Sequence, residues 1–273
     1  MRARDLSGLA IFALGLVACA TGGKFQGTGA EGGGGSGGAT SSGGSAGSGG
    51  MTTSSTSMTT SSSSTTTTPS CAEAPCKVVE PQCGCDGGDM CTIDVDGLRV
   101  CHAPGDVALG EVCTGLYSCE TGSLCVNTSS TKSLCTKYCD DDSQCAGGLC
   151  LLQLTDPNNP NGVLQDITLC TQSCDPVTSV GCPAGQSLGC QLYQEQDGQM
   201  RVFTLCAGAG NGGQLATCTT NDECQAGFAC FTVNMATQEC LKYCKVNNPV
   251  CPGGAACQDI GLVYNGVAYG ACL

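Results

Sequence analysis

The stretch CTTNDECQAGFAC, from Cys218 to Cys230, holds three cysteines separated by two five-residue gaps, and Cys240 follows after a longer gap. The same rhythm of two short gaps and one long gap recurs along the chain. It defines five quartets, made of Cys113, Cys119, Cys125, Cys135; Cys139, Cys145, Cys150, Cys170; Cys174, Cys182, Cys190, Cys206; Cys218, Cys224, Cys230, Cys240; and Cys244, Cys251, Cys257, Cys272. This pattern predicts small disulfide-braced modules in tandem.

Six further cysteines precede the quartets: Cys71, Cys76, Cys83, Cys85, Cys91 and Cys101. The last three repeat the gaps of five and nine residues, so residues 71–111 are interpreted as a modified opening module that caps the array. Three tandem modules are predicted over residues 112–206, a glycine-rich joint over 207–217, and two more modules over 218–273. Gly208 to Gly213 fit such a joint better than a nucleotide-binding loop, because no strand–helix context surrounds them.

The long gap of each module predicts a β-hairpin. Asn265-Gly266, Asp197-Gly198 and Asp96-Gly97 are the residue pairs that two-residue type I′ turns require. Strand-forming residues flank them: Val100, Val202, Phe203, Val263 and Tyr269. The third and fourth cysteines should therefore sit at the two ends of a hairpin.

The first and second cysteines should sit on a turn or a short helical loop, with Asp142 and Asn221 capping a single helical turn. Four cysteines permit three disulfide pairings. All three remain open on the sequence, and the pairing we expect joins first to third and second to fourth.

Composition explains why sulfur is needed. The chain has no tryptophan, 4% aromatic residues and 42 glycines, and each module is too small for an ordinary apolar core. Once Cys19 is set aside, the remaining 26 of the 27 cysteines can pair completely, which requires an oxidising compartment. We expect short β-hairpins and loops with little helix, in an elongated tandem array whose neighbouring units make weak contacts.

The N-terminus predicts export. Arg2 and Arg4 precede an apolar segment that is too short to span a membrane. Leu16, Ala18 and Cys19 resemble a bacterial lipobox, which implies a signal peptide over residues 1–18 and lipidation of Cys19. The alternative is an ordinary secretory signal cleaved beside Cys19. Ala20, and not an aspartate, follows Cys19. By analogy with enterobacterial sorting, this favours the outer membrane of the bacterial envelope.

Residues 19–70 are almost entirely Gly, Ser and Thr, a composition that predicts a disordered tether between the anchor and the modules. The net charge of −13 argues against nucleic-acid binding, which depends on basic patches.

No catalytic constellation stands out. His102 is the single histidine, and we interpret it as a surface imidazole at a hairpin end, because Cys101 beside it fits the disulfide register. The gaps do not match structural zinc sites. Asp140-Asp141-Asp142 and Asp94-Val95-Asp96 offer calcium ligands, but are better interpreted as a capped turn and a hairpin turn. We expect no metal and no cofactor.

The stretch from Cys218 to Cys230 resembles the Dickkopf N-terminal cysteine-rich type and the related EB modules, with Asp before the second cysteine and Gly before the third. The whole layout, with Pro81-Gln82-Cys83-Gly84-Cys85 opening the array, resembles cysteine-rich lipoproteins of myxobacteria, a group without an established activity. The resemblance implies tandem disulfide modules. It transfers no binding residues.

These features predict a non-catalytic, lipid-anchored cell-surface protein that acts in binding or adhesion, or as an envelope spacer. Its partners would be the membrane, through the anchor, and a protein or glycan at the cell surface. The alternative is a secreted protease inhibitor or toxin-like ligand, with the loop from Asp156 to Gly162 as the presented segment.

Overall fold

The chain folds into six antiparallel β-hairpins that follow one another in sequence. The computed structural model describes residues 71–195, 199–234 and 237–273, and over these residues it contains no α-helix. The strands are β1 (Met90–Ile93), β2 (Arg99–His102), β3 (Ser123–Asn127), β4 (Ser133–Lys137), β5 (Cys150–Asp156), β6 (Asn159–Cys170), β7 (Leu188–Gln194), β8 (Val202–Gly208), β9 (Phe228–Asn234), β10 (Thr237–Lys245), β11 (Cys257–Tyr264) and β12 (Val267–Cys272). The predicted class of disulfide-rich β-repeats is confirmed.

Each hairpin and the loop before it form one module. We number the modules 1 (71–103), 2 (104–138), 3 (139–172), 4 (173–209), 5 (210–243) and 6 (244–273). Strand β10 also pairs with β12, so modules 5 and 6 share a four-stranded sheet in the order β11-β12-β10-β9. The predicted signal peptide, Cys19 and the tether lie outside the described residues.

Thirteen disulfides brace the modules, and every predicted quartet joins first to third and second to fourth, as expected. The ten bonds of these five quartets are Cys113–Cys125, Cys119–Cys135, Cys139–Cys150, Cys145–Cys170, Cys174–Cys190, Cys182–Cys206, Cys218–Cys230, Cys224–Cys240, Cys244–Cys257 and Cys251–Cys272. So many disulfides require that the protein folds in an oxidising environment.

Module 1 contains a complete sixth quartet. Its bonds Cys76–Cys91 and Cys85–Cys101 follow the same first-to-third and second-to-fourth rule. Cys71–Cys83 is an additional bond that pins the first residues of the module to its loop. The modified opening module is therefore a regular module with one extra brace.

The third and fourth cysteines face each other across each hairpin, as the sequence predicts. Cys125 stands opposite Cys135, and Cys230 stands opposite Cys240. They do not bond to each other, because each bonds to a cysteine of the loop that precedes the hairpin. The two disulfides thus tie the loop to both strands at one level of the hairpin.

The hairpin turns follow the predicted chemistry in part. Asn265 and Gly266 both have positive φ (48° and 75°), as a type I′ turn requires. The turn at Asp96-Gly97 differs from the prediction. Only Gly97 is left-handed, and the amide of Gly97 donates to the carbonyl of Asp94, which gives a longer loop closed by the Asp94 side chain. The Asp197-Gly198 turn lies outside the described residues.

The predicted helix caps are wrong by one residue. The single-turn 3-10 helices are Asp142–Gln144, Asn221–Glu223 and Pro252–Gly254, and the first is capped by Asp141, whose side chain accepts from the amide of Ser143. Asp142 has a different role, since its carboxylate accepts from the backbone amide of Cys150. The side chain of Asn221 accepts from Cys230 in the same way. Both residues fix the turn to the third cysteine of their module.

The six modules form two triplets that repeat the same backbone contacts. In module 2 the amide of Gly105 donates to the carbonyl of Cys119, and in module 5 Gly210 donates to Cys224. Gly210 lies 105 positions after Gly105, and Cys224 lies 105 positions after Cys119. Three more backbone bonds repeat at the same offset, each from an amide to a carbonyl. In module 2 they are Gly110 to Cys135, Cys113 to Ser133 and Tyr138 to Gly122. In module 5 they are Leu215 to Cys240, Cys218 to Gln238 and Tyr243 to Gly227. Module 5 therefore repeats module 2, and the pairs Tyr138–Leu169 and Tyr243–Ala271 join these modules to modules 3 and 6 in the same way. We call modules 1–3 the first triplet and modules 4–6 the second.

The predicted glycine-rich joint is an integral part of module 5. Gly210 and Gly212 donate their amides to the carbonyls of Cys224 and Glu223. A side-chain carbon at Gly210 would come within 2.5 Å of the carbonyl oxygen of Glu223. Glycine serves close backbone approach here rather than flexibility.

The modules also share an apolar core, which the composition did not predict. Ile93 of β1, Val126 of β3, Leu152 of β5 and Leu205 of β8 all belong to one buried cluster. A two-stranded hairpin has a single apolar face and can bury it only against another hairpin. The expectation of weak contacts between neighbouring units is therefore wrong for modules 1–4.

A buried tyrosine locks adjoining modules together in each triplet. Tyr138 lies 1% exposed, and its hydroxyl lies 3.2 Å from the hydroxyl of Thr92 in module 1. Its equivalent Tyr243 is fully buried, and its hydroxyl donates to the side-chain oxygen of Gln191 in module 4, at 3.2 Å. Thr92 and Gln191 each follow the third cysteine of their module, so the same contact is made twice.

Removing one tyrosine hydroxyl should weaken the fold. Burial raises the pKa of Tyr243 above its ordinary value, so the hydroxyl keeps its proton and can donate. Tyr243→Phe leaves the buried Gln191 oxygen unpaired, and we expect a loss of about 1–2 kcal/mol in the free energy of unfolding. Guanidinium denaturation of the oxidised chain measures it. Tyr117→Phe is the matched control, since the ring of Tyr117 stacks on His102 and the stack survives loss of the hydroxyl. Equal losses in both variants would contradict the prediction.

The ion pair between modules 4 and 6 should make stability depend on acid pH. Lys245 Nζ lies 2.6 Å from Asp175 Oδ2. Partial burial acts to raise the pKa of Asp175, but the bonds from Lys245 and the amide of Val177 bring that pKa below its ordinary value. The pair therefore stabilises the fold above the unfolded pKa, and this stability is lost as the pH falls through the lowered pKa.

We expect Asp175→Asn to cost about 1 kcal/mol near neutral pH and less as the pH is lowered to about 2, because the carboxylate becomes protonated. Urea denaturation at the two pH values measures the difference. Asp106→Asn, a change at an exposed aspartate, provides the control. A cost that is the same at both pH values would show that the charge of Asp175 is not responsible.

Candidate functional site

A groove runs along the first triplet where modules 2, 3 and 4 meet. It consists of two adjoining depressions of about 550 Å³ and 460 Å³, and both are lined by Leu109 and Lys137. The larger depression lies between modules 2, 3 and 4. The smaller one extends toward Glu80 of module 1. Leu109 stands at the junction and is 47% exposed, although it is a large apolar side chain.

Disulfides form much of the wall of the larger depression. Its lining includes one or both cysteines of three bonds, Cys119–Cys135, Cys145–Cys170 and Cys182–Cys206. Backbone segments held between such bonds lose little conformational entropy when a ligand binds. The groove is therefore a preformed surface rather than a gap between mobile loops.

The charges of the groove are largely paired within the protein. Lys137 Nζ lies 4.0 Å from a carboxylate oxygen of Glu80. Glu120 accepts from the backbone amide of Leu109 at 2.9 Å, and Glu111 accepts from the side chain of Gln186 at 2.9 Å. Among the described lining residues Lys137 is the single cation. Each charged side chain in this lining therefore has a partner within the protein, and carboxylates outnumber cations there.

His102 lies at a hairpin end, as predicted. It is exposed, its Nδ1 donates to the carbonyl of Ala103 at 2.7 Å, and its ring stacks on Tyr117 with centroids 3.9 Å apart. The neighbouring Cys101 is bonded to Cys85 and has no thiol to activate. The ring joins modules 1 and 2 by stacking.

The aspartates considered as calcium ligands have protein partners. Asp141 caps a 3-10 turn, and Asp142 accepts from the amide of Cys150 and from Arg201. Asp140 lies 3.9 Å from the ammonium of Lys77. Asp94 closes its own hairpin turn, accepting from the amides of Asp96 and Leu98. The carboxylates of Asp94 and Asp141 therefore stabilise their own turns, and those of Asp140 and Asp142 pair with cations of other modules.

Groups of cysteine sulfurs come close together inside the modules. In module 2, for example, the sulfurs of Cys113, Cys119 and Cys135 lie within 4.8 Å of one another. Each belongs to a disulfide, so none is the thiolate that a zinc site requires.

The loop considered for protease inhibition is built into the fold. Strand β5 ends at Asp156 and β6 begins at Asn159, which leaves a tight turn of two residues. The side chain of Asn158 donates to the carbonyl of Asp96 in module 1, at 3.1 Å. The turn therefore packs on the hairpin turn of module 1.

The groove was not predicted from the sequence. One signal was present: a Cys-x3-Cys spacing joins modules 2 to 3 and 3 to 4, at Cys135–Cys139 and Cys170–Cys174. Such short junctions force three modules into contact around one place. The residues that line it, such as Leu109 and Thr136, carry no motif of their own.

Comparison of the chain with protein-family models, with curated proteins and with solved structures returned no match. Within the described part of the chain, no helix has the length and apolar character needed to cross a membrane.

Proposed function

We propose that this chain is a non-catalytic protein of a bacterial cell surface that binds a protein or glycan partner through the groove of its first triplet. The observation that carries the proposal is the groove itself: a preformed surface walled by three disulfides, with an exposed leucine at its centre. Shaped, rigid concave surfaces are where proteins bind ligands.

The anchoring part of the proposal rests on the N-terminal sequence. Leu16, Ala18 and Cys19 fit a lipobox, and the Gly/Ser/Thr segment that follows would hold the modules away from the lipid surface. The residue after Cys19 favours the outer membrane. The oxidising environment that the disulfides need agrees with a location outside the cytoplasm.

Anchoring is tested by changing Cys19 alone. Expressed in a lipoprotein-processing bacterium, the native chain should fractionate with membranes and incorporate a labelled fatty acid. Cys19→Ser should be soluble and unlabelled, because no thiol remains to be acylated. Label on neither protein, with both in the soluble fraction, would show that the segment is an ordinary secretory signal.

Binding through the groove is tested with two matched leucines. The chain carrying Cys19→Ser is immobilised in its oxidised form and incubated with solubilised cell envelopes. Leu109→Arg fills the groove, and we expect it to lower the amount of retained partner by tenfold or more, on the order of 1.4 kcal/mol. Leu215→Arg alters an exposed leucine of the second triplet, 60% exposed, and should retain the partner normally.

Equal retention by the two arginine variants would place binding elsewhere on the protein. If the unsubstituted groove retained nothing reproducibly, the chain would be an envelope spacer rather than a binding protein.

A further inference from the structure

In the second triplet a side-chain amide occupies the place that corresponds to the groove. Gln214 accepts through Oε1 from the backbone amide of Lys242, at 3.0 Å. It donates through Nε2 to the carbonyl of Cys272, at 2.7 Å. One primary carboxamide thus bridges a backbone donor and a backbone acceptor on two neighbouring strands.

The first triplet has the same two backbone groups, on Lys137 and Cys170. Lys137 lies 105 positions before Lys242, and Cys170 is the fourth cysteine of module 3, as Cys272 is of module 6. The strand register also agrees: Tyr138 pairs with Leu169, the residue before Cys170, and in the second triplet Tyr243 pairs with Ala271, the residue before Cys272.

The amide of Lys137 points toward the groove. The next residue, Tyr138, donates its own amide to Gly122 of the hairpin, and successive amides of a strand point to opposite sides. Lys137 therefore directs its N–H away from β3. In the second triplet Tyr243 donates to Gly227, and the amide of Lys242 reaches Gln214 by the same alternation.

The carbonyl of Cys170 faces the groove for the same reason. Thr171 donates its amide to Leu149 on the far side of the hairpin, so the backbone groups of Cys170 point away from β5. The pairing between the two strands ends at Tyr138 and Leu169, and Lys137 does not pair with Cys170.

Leu109 stands where Gln214 would be. The two residues are 105 positions apart, and Leu109, Lys137 and Cys170 all line the larger depression. A leucine side chain offers neither donor nor acceptor. Gln214 bridges the amide of Lys242 and the carbonyl of Cys272. Over residues 71–195, 199–234 and 237–273, no side chain bridges the amide of Lys137 and the carbonyl of Cys170 in this way.

We infer that the groove binds a primary carboxamide, the side chain of a glutamine or asparagine in a protein partner, in the place that Gln214 fills internally in the second triplet. The inference rests on the proposed binding function and names the chemistry of its ligand. The ligand oxygen accepts from the amide of Lys137, and its NH₂ group donates to the carbonyl of Cys170.

The two backbone groups select against related ligands. A carboxylate has no hydrogen to donate and would place negative charge against the carbonyl of Cys170. The secondary amide of an N-acetyl sugar is trans, so its N–H and C=O point in opposite directions and cannot face both groups at once. A primary carboxamide carries a donor and an acceptor on one edge, as when Asn or Gln pairs with adenine.

The test follows individual backbone amides by ¹⁵N–¹H NMR in the oxidised full chain carrying Cys19→Ser. The probe is the peptide Gly-Gly-Gln-Gly-Gly with a free C-terminal carboxylate, so the side chain supplies its one primary carboxamide. We expect a saturable downfield shift of the Lys137 amide. The Glu and Met versions of the peptide, and an N-acetylglucosamine oligomer, should bind about tenfold more weakly or worse.

Glutamine substitutions at Leu109 and Leu215 provide matched variants. Leu109→Gln should place an internal amide on Lys137, move its resonance toward the position of Lys242, and weaken peptide binding about tenfold or more. Leu215→Gln adds the same amide at an exposed leucine outside the groove and should bind the Gln peptide normally. The dispersion of both spectra verifies that each variant is folded.

An unchanged Lys137 resonance, equal binding of the Gln and Glu peptides, stronger binding of the N-acetyl sugar, or normal binding by Leu109→Gln would each overturn the inference. The proposed binding function would survive these results if Leu109→Arg still abolished retention of an envelope partner. Loss of that retention effect as well would remove both.

Discussion

The pair of disulfides that crosses each hairpin is the constraint on which the rest of the structure depends. Two cysteines that face each other across β3 and β4, Cys125 and Cys135, each reach to the loop that precedes the hairpin. The loop is therefore fixed at two points on one level of the hairpin. A module of about thirty residues gains a defined shape in this way without an interior of its own.

Once the modules are fixed, ordinary packing arranges them. Each hairpin keeps one apolar face, and modules 1–4 bury these faces together. Tyr138 and Tyr243 then add directional bonds that set how one module meets the one before it. Covalent bracing and apolar burial have separate roles: the first shapes each unit, and the second joins the units.

The cysteine pattern predicted the units and could not predict their assembly. Local spacing predicts the quartets and the hairpins, but it leaves three pairings open in each quartet, and the structure selects the first-to-third and second-to-fourth bonds that we expected. The cap at Asp141 was missed because Asp140, Asp141 and Asp142 are chemically alike, and backbone geometry alone selects among them. The groove brings together lining residues as distant in sequence as Leu109 and Cys182, which no local pattern encodes. The segment at Gly210 was predicted to be a flexible joint for a similar reason. A run of glycines allows close backbone packing as well as flexibility, and the sequence does not distinguish the two.

The interleaved bond order has a consequence for how the chain matures. Bonded partners lie between 11 and 25 residues apart, so each module contains all the cysteines it needs and can form its bonds as the chain enters an oxidising environment. Yet the second cysteine of a module always emerges before the partner of the first. An oxidant that joined thiols in order of appearance would make the wrong bond every time. Native pairing therefore requires either that the hairpin forms before oxidation or that thiol exchange corrects early bonds. A host in which oxidation is faster than hairpin formation therefore needs a disulfide isomerase as well as an oxidase.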